Sequence, residues 1–148
     1  RLHVARWRVG LAGRGARVRS VAELCERRTR VVQREVGASS QKAFASALAA
    51  EGVSRQPGPL ASGHVEAARH VAYGAAAGVT MEPAAAQLGL AFTSFEEHAA
   101  ELWIDARWRD HPAVEPLGSV LRSAAFQRRV GLVGGYDVTD CGALRGGA

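Results

Sequence analysis

Four side chains in one short stretch, Arg34, Ser39, Ser40 and Lys42, could hold an anion between two hydroxyls and two cations. The stretch reads Thr29-Arg-Val-Val-Gln-Arg-Glu-Val-Gly-Ala-Ser-Ser-Gln-Lys-Ala-Phe-Ala-Ser-Ala-Leu48. Val31, Val32 and Val36 have β-branched character, Gly37 permits a turn, and Ser39 or Ser40 suits a helix N-cap. Beyond them Phe44, Ala47 and Leu48 recur at helical spacing. A helix opening here aims unpaired N–H groups and its positive dipole end at the turn, a setting for a carboxylate, phosphate or other oxyanion. The plainer alternative is that the serines only cap a surface helix.

The same serines could instead act as nucleophiles, with His64 as base. No Gly-x-Ser-x-Gly elbow supports that, and His64 stands at a helix start where a cap or ligand contact explains it equally well. His64 and His70 are six positions apart and do not share a helix face, which argues against a metal pair. Glu96, Glu97 and Glu101 read as a solvated acidic strand edge rather than catalytic carboxylates. Cys25 and Cys141 fit two reduced thiols. No catalytic residue, metal or cofactor is therefore assigned, and the protein is not expected to be an enzyme.

The elements that must position these groups alternate. Residues 2–11 form a strand that ends in the glycine loop at residues 12–16, whose two glycines fall short of a phosphate-loop fingerprint. Ser20-Val-Ala-Glu23 is a capping box that opens a short helix over residues 21–26. The strand and helix of the anion motif follow, the helix running over residues 40–50 with Gly52 as its stop. A third helix spans residues 62–74 with Val65, Ala68, Val71 and Ala72 on one face. Residues 75–80 form a small-residue strand, and Glu82-Pro83 opens another helix that Gly89 ends. Two further strands are expected at residues 90–92 and 98–104, then one helical stretch over residues 111–130 and, from Tyr136 onward, a polar and then glycine-rich tail whose last residues fray. The alternation makes an α/β protein of one domain.

Apolar residues make up 47% and charged residues 22% of the 148, ordinary for a folded soluble protein. The absence of a membrane-length apolar run or leader suggests a cytoplasmic protein with no membrane partner. The net charge of +5 is concentrated in the first thirty residues. Arg1, Arg6, Arg8, Arg14, Arg17 and Arg19 could face nucleic acid, but they are interleaved with glycine and valine without a recognition helix, and a solvated basic edge is preferred.

Several segments, in order, resemble the periplasmic-binding-protein-like domain, type 2, found with helix-turn-helix regulators and molybdopterin-biosynthesis proteins. They are Arg19-Ser-Val-Ala-Glu-Leu24, Arg30-Val-Val-Gln-Arg34, Gly37-Ala-Ser-Ser40, Ser62-Gly-His64, Gly78-Val-Thr-Met-Glu-Pro83, Leu88-Gly-Leu90, His111-Pro-Ala-Val114, Leu121-Arg-Ser-Ala-Ala-Phe126 and Gly134-Gly-Tyr-Asp-Val138. The family tends to have Gly-Ser-Gly-Thr at the serine turn and an acidic residue at Ala76. The resemblance implies one complete lobe, residues 12–92, with residues 1–11 and 93–148 supplying the crossover and part of the other lobe, within a single ligand-binding domain over residues 1–148.

It also implies that a small anion, molybdate among the candidates, is held in a cleft by Ser39 and Ser40, with Arg34 and Lys42 as charge partners and with Thr80, Glu82 and His64 facing the same cleft. DNA would be reached only through a fused domain absent here. The competing reading is a basic nucleic-acid-binding or interaction module, and a serine-dependent enzyme ranks last. The family's first lobe begins with a βαβ segment not recognised here, so Trp103, Val114, Leu117 and Leu121 are expected to need another cover, and either self-association through this region or poor solubility is expected. Sedimentation checks this: an assembly larger than one chain is the expected result, and a compact monomer at high concentration is the contrary one.

Overall fold

The computed structural model describes residues 1–15 and 20–145. Its elements run β1 (Leu2–Gly13), α1 (Val21–Glu26), β2 (Val31–Arg34), α2 (Ser39–Ala50), β3 (Leu60–Ala61), α3 (His64–Ala72), β4 (Ala77–Met81), α4 (Glu82–Gln87), β5 (Ala91–Leu102), α5 (Val114–Arg122), α6 (Ala124–Gly131) and β6 (Tyr136–Asp137). The fold is α/β, as the alternation implies. The chain divides into two compact units, one continuous, Arg8–Glu97, the other made of Arg1–Trp7 with His98–Ala148.

In the continuous unit the strand order is β3-β2-β4-β1-β5. β2 runs parallel to β3 and β4, and β1 runs antiparallel to β4 with Val9 opposite Met81. Adjacent residues of β2 serve opposite faces, as a strand's two-residue period requires. Val31 joins Leu11, Val21, Leu24, Phe44, Leu48, Ala77 and Val79 in the main core, while Val32 packs with Ala61 and Ala67. Phe44 has no exposed surface and stacks on Phe95 at 5.9 Å. On the second face Gly78 lets α3 close on β4, since a Cβ there would come within 2.9 Å of Val71 Cγ2.

The segment before the two-residue β3 also runs beside β2, but Pro57 and Pro59 there have no N–H to donate to the ladder. The amides of Val31 and Gln33 donate to the carbonyls of Pro57 and Pro59 at 2.9 and 2.8 Å. Gly58 sits between those prolines, where a Cβ would collide with the Val31 carbonyl. The buried Gln56 side chain donates to the carbonyls of Leu24 and Thr29 at 3.1 and 2.7 Å, tying the end of α1 to the same segment.

In the other unit Leu2, Leu121 and Cys141 form the buried centre, with Val4, Ile104, Phe126 and Val138 against it. β6 pairs with β1, Trp7 opposite Tyr136, and the Trp7 ring meets Tyr136 and His98 edge-on at 6.1 and 6.4 Å. The main chain of residues 142–145 also lies against β1, through bonds between His3 and both Gly142 and Ala143 and between Arg145 and Arg1.

Several expectations need correction. Ala38, not Ser39 or Ser40, is the N-cap of α2, without a side-chain cap bond. Residues 91–102 are one strand rather than parts of two, and Trp103 and Ile104 lie beyond it. The stretch over residues 111–130 is two helices, because Ser123 takes an extended conformation and accepts the Phe126 amide as the N-cap of α6. α3 starts at His64, and Val65 is exposed rather than on its buried face. Tyr136 and Asp137, where no strand is expected, form one. Of the apolar residues thought to need cover, Leu121 is buried, whereas Trp103 is exposed and carries the Arg1 guanidinium 4.2 Å from its ring centroid. Ala16, Arg17 and Arg19 lie outside the described residues, as does the tail from residue 146.

Gly58→Ala is expected to destabilise the protein by about 1–3 kcal/mol, the usual cost of forcing atoms into packed space. Urea unfolding checks this, with Gly37→Ala as the control, since a Cβ at Gly37 meets nothing within 4 Å.

Candidate functional site

Three parallel strands end at one edge of the Arg8–Glu97 unit, and each runs into a helix there: β2 into α2, β3 into α3 and β4 into α4. The carboxyl edge of such strands is where open α/β sheets bind ligands.

β2 delivers Arg34 to this edge with 7% of its surface exposed. Its Nε lies 3.1 Å from Glu35 Oε2 and its Nη2 2.9 Å from Glu35 Oε1, a fork against a carboxylate. Nη2 also donates to the Ser62 carbonyl at 3.4 Å, reaching the junction that follows β3. Nη1 is shielded from solvent and has no hydrogen-bond partner. The Arg34 hydrogen bonds, and after them its own backbone amide, hold the Glu35 carboxyl below the ordinary glutamate value.

The strand end is held by a run of amide side chains. The Arg34 N–H donates to Gln41 Oε1 at 2.9 Å, Gln41 Nε2 donates to Gln33 Oε1 at 2.9 Å, and Gln33 Nε2 donates to the Gln56 carbonyl at 2.6 Å. Gln41 therefore clamps the first turn of α2 onto β2. Ser39 and Ser40 are the first two residues of that helix, where backbone N–H groups have no partner within the helix. Ser39 is exposed, and Ser40 is 1% exposed with its hydroxyl unpartnered. Lys42 is exposed on the next turn.

The other junctions are tied in by short contacts. Thr80 is fully buried and its hydroxyl donates to the His64 carbonyl at 2.8 Å, so it fixes the start of α3 to β4. Ser62 donates from its amide and hydroxyl to Glu66 Oε2 at 2.6 and 2.5 Å, reaching from the residue before the Gly63 N-cap into the first turn of α3. Glu35, Leu60, Ala61, Ser62 and Glu66 line a shallow recess of about 520 Å³. Glu82, in the first turn of α4, is held by Arg8: Arg8 Nε lies 2.6 Å from Glu82 Oε2, and Arg8 Nη2 pairs with Oε1. That hydrogen bond raises the Arg8 pKa.

The structure thus links Arg34 to the β3–α3 junction and Thr80 to His64, while Glu82 is engaged by Arg8. Sequence reasoning missed Glu35, Gln41, Ser62 and Glu66. The spacing of Ser62 and Glu66 resembles a capping pattern and could have been read; the pairing of Arg34 with its own neighbour has no sequence signature.

Among the described residues no group of three or more His, Cys, Asp or Glu side chains is placed to hold a metal ion, and no helix is long and apolar enough to cross a membrane. The two cysteines are free, and burial raises the pKa of both thiols.

Strand-to-helix junctions gathered at one sheet edge, two of them joined through a buried arginine, define an α/β domain. The model of the PBP superfamily domain, the periplasmic-binding-protein-like family, matches residues 1–122, and the chain belongs to that family. Membership supports a ligand-binding role. No curated protein matches the chain.

The Ser62 hydroxyl and then its amide hold the Glu66 carboxyl below the ordinary value. The contact therefore stabilises the start of α3 above the ordinary glutamate pKa and is lost as pH falls through the lowered folded value. Carboxyl carbon titration by NMR is expected to give Glu66 a midpoint below that of a free glutamate, with the Ser62 amide losing hydrogen-exchange protection over the same range.

Proposed function

We propose that this chain binds a small anion at the carboxyl edge of β2, β3 and β4, as the sensing domain of a cytoplasmic transcriptional regulator or molybdenum-cofactor-related protein, and that it is not an enzyme. The observation that carries the reading is Arg34: a guanidinium almost wholly out of water, with one nitrogen lacking any acceptor, at the start of the turn that leads into α2. A buried donor without an acceptor costs about 1–3 kcal/mol, and an anion reaching it would recover that. The Ser40 hydroxyl, also buried and unpartnered, and the first amides of α2 add donors on the same segment. Ser39, Lys42 and His64 stand at the rim of the proposed site, whereas Thr80 and Glu82 act by holding α3 and engaging Arg8. In this reading the Arg8–Glu97 unit serves as lobe two. A molybdate or a small organic acid would suit these donors.

The nucleic-acid alternative is less well supported, because three of the arginines it relies on are already paired. Arg1 lies 3.6 Å from Glu101, Arg6 lies 2.9 Å from Asp140, and Arg8 holds Glu82. A salt titration of DNA binding would separate the readings, since phosphate contacts weaken steeply with salt.

Calorimetry with molybdate, sulfate and acetate tests the anion site. The double variant Ser39→Ala, Ser40→Ala is expected to weaken the anion that binds by about thirtyfold, the effect of losing two donors at about 1 kcal/mol each, with thermal unfolding unchanged. Equal affinity in variant and parent, or no binding of any of the three, would count against the site.

A further inference from the structure

Resting on the anion-site reading above, we propose that Glu35 is a built-in competitor occupying the ligand's place on Arg34, and that the ligand displacing it presents a monoanionic carboxylate. The fork of Arg34 is filled by a carboxylate supplied by the very next residue, at 3.1 and 2.9 Å. The two partners differ sharply in burial: the Arg34 side chain is 8% exposed and that of Glu35 56%. A buried guanidinium cannot give up its anion to water without a large desolvation cost, whereas an exposed carboxylate can swing into solvent at little cost. Arg34 is therefore the fixed half of the pair and Glu35 the replaceable half.

The contacts that would outlast the exchange are in place. Arg34 is held at its backbone by Gln41 and at Nη2 by the Ser62 carbonyl, neither of which involves the Glu35 side chain. The Glu35 carbonyl accepts the Ala38 amide at 2.9 Å, so the turn into α2 depends on the backbone of Glu35 and not on its carboxylate. Nη1, unpartnered while Glu35 fills the fork, is a donor available to an incoming anion that brings a further acceptor.

Charge decides between ligand classes. Glu66 lies close enough to Arg34 for its charge to be felt, and Glu35 stays nearby after displacement. One buried cation thus faces two carboxylates before any ligand arrives. A tetrahedral dianion such as molybdate or sulfate would add two more negative charges there, while a monocarboxylate adds one and matches the planar fork that Glu35 already demonstrates.

The test is NMR titration of the 148-residue chain with acetate and, separately, with sulfate, following the Arg34 Nε–Hε resonance in the parent, Glu35→Gln and Glu35→Ala. Acetate is expected to bind the parent more tightly than sulfate, and removing the competing charge is expected to tighten acetate binding about tenfold in both variants, with sulfate, the doubly charged ligand, gaining at least as much and the Arg34 resonance moving on saturation. Two variants guard against a local effect of either side chain, and unchanged thermal unfolding shows that the fold is kept. The proposal is overturned if acetate binds no more tightly without the Glu35 carboxylate, if sulfate binds the parent as tightly as acetate, or if the Arg34 resonance does not respond. Adding Ser39→Ala, Ser40→Ala to each background distinguishes the failures. Binding that depends on the serines but ignores Glu35 removes only this inference, whereas no binding of either anion in any background removes the anion site as well.

Discussion

A four-residue strand buried on both faces has no solvent side on which to place a charge, and much of the Arg8–Glu97 unit follows from that limit on β2. Val31 and Val32 fill opposite faces, and the first charged residue after them is Arg34. Its charge must be met at the strand's end, opposite Ala61, the last residue of β3. The Ser62 carbonyl and the Gln41 side chain both converge there, together with Glu35. Packing thus locates the cation, and the cation organises the polar groups of two helix starts around it.

A second theme is the neutralisation of the basic chain. Several described arginines are paired with acids, Arg6 with Asp137 and Asp140 and Arg8 with Glu82 across long stretches of sequence, Arg122 with Glu115 and Arg145 with Asp140 nearer by. Most of these pairs are exposed and contribute little to stability individually. They matter for what the surface can attract, because a paired guanidinium offers a phosphate backbone less than its formal charge suggests.

Features determined by neighbours in sequence could be read from the sequence. The Ser20 cap, in which the Ser20 hydroxyl accepts the Glu23 amide at 3.1 Å, follows from residues three apart. The strand–turn–helix order from Val31 to Leu48 follows from β-branching and helical spacing. What depended on remote partners could not be read. β3 is a strand because β2 lies beside it, and Tyr136 and Asp137 are one because Trp7 and Arg6 of β1 lie opposite them. β5 looked like two pieces because Glu96, Glu97 and His98 interrupt its apolar pattern; as the last strand in the order it has β1 alone as a neighbour and can carry polar residues along its exposed positions. Helical spacing on both sides of Ser123 hid the break there. The N-cap fell on Ala38 because the clamp from Gln41 to the Arg34 amide, rather than a serine hydroxyl, fixes where α2 begins.

The unit containing the N-terminus draws on both ends of the chain, the Arg1 carbonyl receiving the amide of Arg145 at 2.9 Å and the Arg1 amino group donating to the Arg145 carbonyl at 3.1 Å. Closing a loop of that length carries an entropy cost that no local contact offsets. The continuous unit, by contrast, is one uninterrupted run of chain. Order of folding follows: the partners within Arg8–Glu97 are all made before the segment from His98 onward that residues 1–7 pack against, so the discontinuous unit completes its contacts after the continuous one.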